Sequence, residues 1–86
     1  MIKEGFVLRK MPGINIVMPT GRNVKEFNGA LMLNETGAFI FEKLKEGANA
    51  EETAEYLAEE YEVNAEKARE DVLKTVASLR EAGVVE

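Results

Sequence analysis

The chain has 86 residues, of which 45% are hydrophobic and 31% charged, and its net charge is −5. These proportions are typical of a soluble domain long enough to bury one core. Cysteine and histidine are both absent, which removes disulfides, thiolate metal ligands, thiol nucleophiles and the usual general base. The composition therefore argues against an enzyme, and we expect no catalytic residues, no metal and no cofactor.

Charge is divided unevenly along the chain. Residues 1–29 carry five basic and two acidic side chains, a net +3, whereas residues 30–86 carry six basic and fourteen acidic ones, a net −8. A basic first third could steer an acidic partner toward it, although the same charges could simply keep a small domain soluble. No apolar run reaches the ~20 residues of a membrane-spanning helix, and the N-terminus lacks the apolar core of a signal peptide. We therefore expect a cytoplasmic protein that does not contact a membrane.

Two strands joined by a tight turn are predicted in the first third of the chain. Phe6–Lys10 and Ile14–Met18 alternate their side chains between two faces, and the Pro-Gly pair between them favours a turn. A third strand is predicted at Gly29–Leu33, with a further short piece around Val24–Phe27. Both faces of the third strand are apolar, whereas a half-buried strand usually alternates apolar with polar side chains. We interpret it as a sheet edge and groove wall that accepts an extended peptide.

Three helices are predicted in the rest of the chain, each preceded by an asparagine that suits an N-cap. They span residues 35–46, 50–61 and 65–82, and each has a buried stripe at helical spacing. Gly37 indicates close backbone packing in the first helix, and Phe39, which lies off the stripe, is interpreted as a packing residue rather than a partner contact. The three stripes are Gly37, Ile40, Phe41 and Leu44; Ala50, Ala54, Leu57 and Tyr61; and Ala65, Ala68, Val72, Val76 and Leu79.

A second strip of side chains lies beside the buried stripe of the third helix. It contains Arg69, Leu73 and Arg80, with Ala77 further round the helix. This strip could form the wall of a groove, but periodicity alone slightly favours a surface shoulder along which arginines lie. The order of elements predicts an α+β fold in one domain, 1–86, with a three-stranded antiparallel sheet beside a three-helix bundle.

Four segments, taken in their order and spacing, resemble the PqqD family, the small proteins of pyrroloquinoline quinone biosynthesis and their relatives. They are Leu33–Phe41, Leu44–Gly47, Leu57–Tyr61 and Leu79–Val85. The resemblance implies a winged helix-turn-helix-like domain that serves as a peptide recognition element. Such domains bind the leader segment of a ribosomally made precursor peptide and present it to a maturation enzyme, often of the radical S-adenosylmethionine class.

The resemblance also implies where the leader binds. In the family it adds as a strand beside the third strand, in the cleft against the third helix. Carried over to this chain, the groove has a strand wall and a helix wall. The strand wall is Gly29, Ala30, Leu31, Met32 and Leu33, and the helix wall is Arg69, Leu73, Val76, Ala77 and Arg80.

Two alternatives stay open. A winged-helix regulator would bind nucleic acid, but the second helix is acidic and the third carries as many acidic as basic side chains, whereas phosphate binding needs a basic face. The edge strand could instead pair with itself in a homodimer, which would compete with leader binding. The precursor, the maturation enzyme and the pathway, pyrroloquinoline quinone or another peptide product, are not indicated by the sequence.

Overall fold

The computed structural model of this protein describes residues 1–21 and 31–86. Within these ranges the chain forms an antiparallel sheet and then three helices, which confirms the predicted α+β fold. The strands are β1 (Phe6–Met11), β2 (Ile14–Pro19) and β3 (Leu31–Leu33), in the spatial order β1-β2-β3. The helices are α1 (Glu35–Lys45), α2 (Ala50–Tyr61) and α3 (Ala65–Glu81). Gly29 and Ala30 of the predicted third strand, and the piece predicted around Val24–Phe27, lie outside the described residues.

Each helix begins directly after an asparagine, as predicted. The side-chain oxygen of Asn34 accepts a hydrogen bond from the N–H of Gly37 at 2.7 Å, and Asn64 caps α3 in the same way. Asn49 caps α2 and exchanges two hydrogen bonds with Glu52, at 2.8 and 3.0 Å. These caps satisfy backbone donors that the first helical turn leaves without a partner.

The core lies between the helices and one face of the sheet. Phe6 and Val17 contribute from the sheet, and they pack with the predicted stripes of the three helices. Within residues 1–21 and 31–86, no helix is both long and apolar enough to cross a membrane. The largest completely buried apolar side chains are Phe41, Ile40, Leu44, Leu57, Leu79, Val17, Val72 and Val84.

Two residues assigned to the buried stripes are exposed, so that part of the prediction is wrong. Tyr61 ends α2 and Ala65 begins α3. They flank a three-residue turn in which Glu62 adopts a left-handed conformation, with φ of 52°. The core does not extend to the helix ends at this turn. The side chains of Tyr61 and Ala65 continue the two stripes along the chain but do not reach the core. The Tyr61 ring instead forms a T-shaped contact with the ring of Phe39, with 5.6 Å between the ring centroids.

Both ends of the described chain are held against the body. Ile2 and Val85 form an isolated β-bridge, and the N–H of Lys3 donates to the carbonyl of Val84 at 2.8 Å. Val84 and Val85 are buried, so this segment is part of the core.

Candidate functional site

Within the described residues the sheet ends at β3 on one side and at β1 on the other, and β2 is the neighbour of both. Leu31 pairs with Val17, and Met32 pairs with Ile16. Because successive residues of a strand direct their backbone groups to opposite sides, half of the N–H and C=O groups of β3 point away from β2. Among the described residues, no strand pairs with that second side. The edge can therefore accept an extended peptide through backbone hydrogen bonds.

The two faces of β3 have different surroundings. Leu31 and Leu33 are half-buried and pack against the core, on the same face as the completely buried Val17. Met32 points to the opposite face, and 65% of its surface is exposed. The sequence showed correctly that both faces are apolar, but only one of them belongs to the core.

A single residue, Asn34, connects β3 to α1. Gly37, in the first turn of the helix, is buried against this junction. A Cβ atom at Gly37 would lie 3.2 Å from the Cβ of Leu33 and 3.2 Å from the Oδ1 of Asn34. The predicted close packing at Gly37 is therefore confirmed, and it fixes the end of the strand against the start of the helix.

Asn15 of β2 also contacts β3, although the sequence did not indicate it. Its side-chain nitrogen donates to the carbonyl oxygen of Leu33 at 3.3 Å. The two residues are also paired across the strands. Only the strand register brings them together, so no local motif could have predicted the contact.

The helix wall lies on α3, and α1 packs against both α3 and β3. Leu73 is 56% exposed, whereas Val76 is only 5% exposed and belongs to the core. Val76 can therefore support the wall from beneath but offers little surface of its own. The use of the two walls as one groove stays a prediction. The exposed members of the helix wall are Arg69, Leu73, Ala77 and Arg80.

Most basic side chains of α3 already have acidic partners. The nitrogen–oxygen distances are 3.1 Å for Lys67–Asp71, 3.4 Å for Lys74–Glu70 and 3.9 Å for Arg69–Glu51, the last joining α3 to α2. Within the described part of the chain, Arg80 is the basic residue of α3 that has no ion pair. The helix therefore does not present the continuous basic face that phosphate binding requires.

A cluster of aromatic and basic side chains joins α1 to α2. Phe39 is half-buried, and the Nζ of Lys43 lies 5.5 Å from the centre of its ring and 4.9 Å from that of Tyr56. Phe39 also packs against the core, which agrees with its interpretation as a packing residue. Within residues 1–21 and 31–86, no three acidic side chains converge in a way that could hold a metal ion.

On the β1 side, two lysines fasten the sheet to α1. The Nζ of Lys10 lies 2.6 Å from the Oε1 of Glu42, and the Nζ of Lys45 donates to the carbonyl of Phe6 at 2.7 Å. The hydrogen bond to Glu42, followed by its negative charge, raises the pKa of Lys10. Both contacts lie at β1, the other terminal strand, so they hold the sheet against α1 without occupying the edge of β3.

Fold and site together define a class of small α+β domains in which an open sheet edge adjoins a helical bundle. The family comparison makes this specific, because the model of coenzyme PQQ synthesis protein D (PqqD) matches residues 16–85. The chain belongs to the PqqD family. No curated protein sequence matches it closely enough to count as a relative.

Two solved structures share this fold. TbiB1 in complex with the TbiA(beta) leader peptide has a TM-score of 0.80 and 19% sequence identity, and the match covers 99% of this chain and 93% of that one. Lasso peptide synthetase B1 complexed with the leader peptide has a TM-score of 0.73 and 26% identity, with 94% and 89% covered. Both of these similar proteins were therefore solved with a leader peptide bound.

Proposed function

We propose that this chain binds the leader segment of a ribosomally made precursor peptide and presents it to a maturation enzyme, without catalysing the modification itself. The observation that carries the proposal is the edge of β3. The side of this strand that faces away from β2 has no pairing strand among the described residues. Membership of the PqqD family and the two similar proteins solved with leader peptides support the same function. We assign it to a single domain, 1–86, acting in the cytoplasm, where such precursors are made, with a radical S-adenosylmethionine or similar enzyme as partner.

The proposed binding mode is strand addition at β3. Each new backbone hydrogen bond contributes a net ~0.5–1.5 kcal/mol, so affinity comes first from the main chain and does not require a particular leader sequence. Specificity then depends on alternate leader side chains, which reach opposite faces of the sheet. One set would meet the helix wall at Leu73, and the other would lie beside Met32, because these two apolar side chains are largely exposed.

The two alternatives, nucleic-acid binding and homodimer formation, would use α3 and the edge of β3, respectively. Nucleic-acid binding would need free cations on α3, but Lys67 and Lys74 are paired within the helix and Arg69 with α2. Self-pairing through β3 would use the edge that the leader needs, so a homodimer of this kind would dissociate when the leader binds. Leader binding is the function that the geometry supports best.

An NMR titration of amide resonances tests the proposal directly. The labelled domain is titrated with the synthetic leader of a short precursor encoded beside its gene and, separately, with duplex DNA. We expect leader-induced shifts at Leu31–Leu33 and on one face of α3, and no comparable response to DNA. Shifts with DNA alone would favour the regulator, and the absence of any shift with the leader would contradict the proposal.

A further inference from the structure

The face of the sheet turned away from the helices is almost entirely apolar. The strand register places six apolar side chains and one charged side chain on it, and none of the seven is buried. We call this surface the outer face. Its residues are Val7, Arg9, Met11, Ile14, Ile16, Met18 and Met32.

This composition is unusual for a solvent-facing surface. An antiparallel sheet with one face on the core normally presents polar side chains on the other. Here Met11 is 47% exposed and Met32 is 65% exposed, and half-buried isoleucines lie between them on β2. Contiguous exposed apolar patches mark interaction sites, and methionine adapts readily to a partner surface.

The extent of the outer face favours a transient partner over a second copy of the chain. Three strands about 4.8 Å apart, the longer two about 20 Å long, give a surface of roughly 200–300 Å² in plan. A stable interface buries about 800 Å² on each partner, so this face is too small to hold two copies together by itself. It can form the centre of a weaker interface with a protein that must later release its substrate.

The outer face is also continuous with the leader-binding edge, because Met32 belongs to β3. A leader added beside β3 would extend the same sheet by one strand, and every second leader side chain would join the outer face. Arg9 is the charged residue among these seven, and it forms no ion pair within the described residues. A complementary partner would therefore offer an apolar surface with a carboxylate near Arg9.

We propose that the outer face docks the maturation enzyme, and that the bound leader strand enlarges this docking surface. The enzyme then binds the leader-loaded protein more tightly than the empty one, and it meets the leader at the edge where the leader leaves the sheet. This inference rests on the proposed function, since it takes the maturation enzyme as the occupant.

The test compares a double variant, Val7→Thr with Met11→Gln, with the single variant Tyr56→Gln. Val7 and Met11 lie on β1, two strands away from β3. Tyr56 is a matched control, because it is 47% exposed, as Met11 is, but lies on α2. Circular dichroism confirms that each variant is folded. Biolayer interferometry with the purified enzyme encoded beside the gene, with and without saturating leader, gives the enzyme affinity, and fluorescence anisotropy with a labelled leader gives the leader affinity.

We expect the double variant to bind the enzyme about tenfold more weakly or worse, as for removal of apolar side chains from the centre of an interface, and to keep its leader affinity within twofold. Tyr56→Gln should change neither affinity, and the leader should strengthen enzyme binding by the wild type. An unchanged enzyme affinity in the double variant would overturn the inference. The inference would also be overturned if sedimentation showed that the wild type is a dimer and that the double variant is a monomer with unchanged enzyme affinity. If the wild type did not bind the leader, the proposed function would be refuted. The docking inference would still be tested, because the enzyme affinities of the variants are also measured without leader.

Discussion

Replacing Leu73 with alanine tests whether α3 forms part of the leader groove. Full burial of a leucine side chain stabilises by ~1.5–3 kcal/mol, and 56% of Leu73 is still exposed in the free protein. The leader can therefore cover about half of the side chain. The expected loss of binding free energy is about 1–1.5 kcal/mol, or roughly a five- to tenfold rise in Kd.

Folding should change much less than binding in this variant. More than half of Leu73 is already in water, and alanine is at least as good a helix former as leucine, so we expect the free energy of unfolding to fall by less than about 1 kcal/mol. Val76, one turn further along α3, gives the opposite profile because it is only 5% exposed. Val76→Ala leaves a cavity and should cost about 2 kcal/mol of stability, with little effect on leader affinity while the protein is folded.

Leader affinity is measured by fluorescence anisotropy with a labelled leader peptide, and stability by denaturation with guanidinium chloride. Lys74→Ala provides a neighbouring control on α3, since Lys74 is exposed and pairs with Glu70. If Leu73→Ala binds the leader within twofold of the wild type, the helix wall is wrongly placed. The same conclusion follows if Val76→Ala weakens leader binding more than Leu73→Ala does.

Four further substitutions test the junction after β3 and the arginines of α3. Asn34→Ala removes the cap of α1 and should lower the free energy of unfolding by about 1 kcal/mol, measured by denaturant titration; an unchanged value would mean that the hydrogen bond to Gly37 contributes nothing net. Gly37→Ala should also destabilise, although alanine is the better helix former by about 1 kcal/mol, because the new Cβ would press on Leu33 and on the cap at 3.2 Å; a rise in thermal stability would contradict this. Reversing the charge of Arg69 or Arg80 should weaken binding of an acidic leader, each by less than about 1 kcal/mol because both are exposed. It should also make binding less sensitive to salt. Isothermal titration calorimetry at two salt concentrations measures both effects, and an unchanged affinity would refute the role of these arginines.

Local chemistry explains why much of the fold could be predicted from the sequence. The asparagine caps act within one helical turn, so the starts of the helices follow from residues close together in the chain. The buried stripes were correct where the helices face the core and wrong at Tyr61 and Ala65, where the turn between α2 and α3 decides what is covered. Thr53 was missed because a stripe of apolar residues cannot include it, although it is completely buried and its hydroxyl donates to the carbonyl of Asn49 at 2.8 Å.

The candidate site was predictable only in part. The alternation of β3 identifies its two faces, but tertiary packing decides that Leu31 and Leu33 meet the core while Met32 stays in solvent. The exposure of Leu73 and the burial of Val76 likewise depend on how α3 rotates against its neighbours. The outer face emerges only when the register of three strands is known, because its residues come from separate parts of the chain.

The one-residue connection at Asn34 has a consequence for the thermodynamics of binding. Because β3 passes directly into a capped helix whose first turn is packed against the strand, the receptor edge has little conformational freedom to lose when a peptide arrives. The ordering entropy of complex formation therefore falls almost entirely on the leader, at a backbone cost of about 1–2 kcal/mol for each residue fixed. Affinity can then be adjusted through the stiffness of the leader, for instance by a proline beyond the paired residues, without any change in this protein.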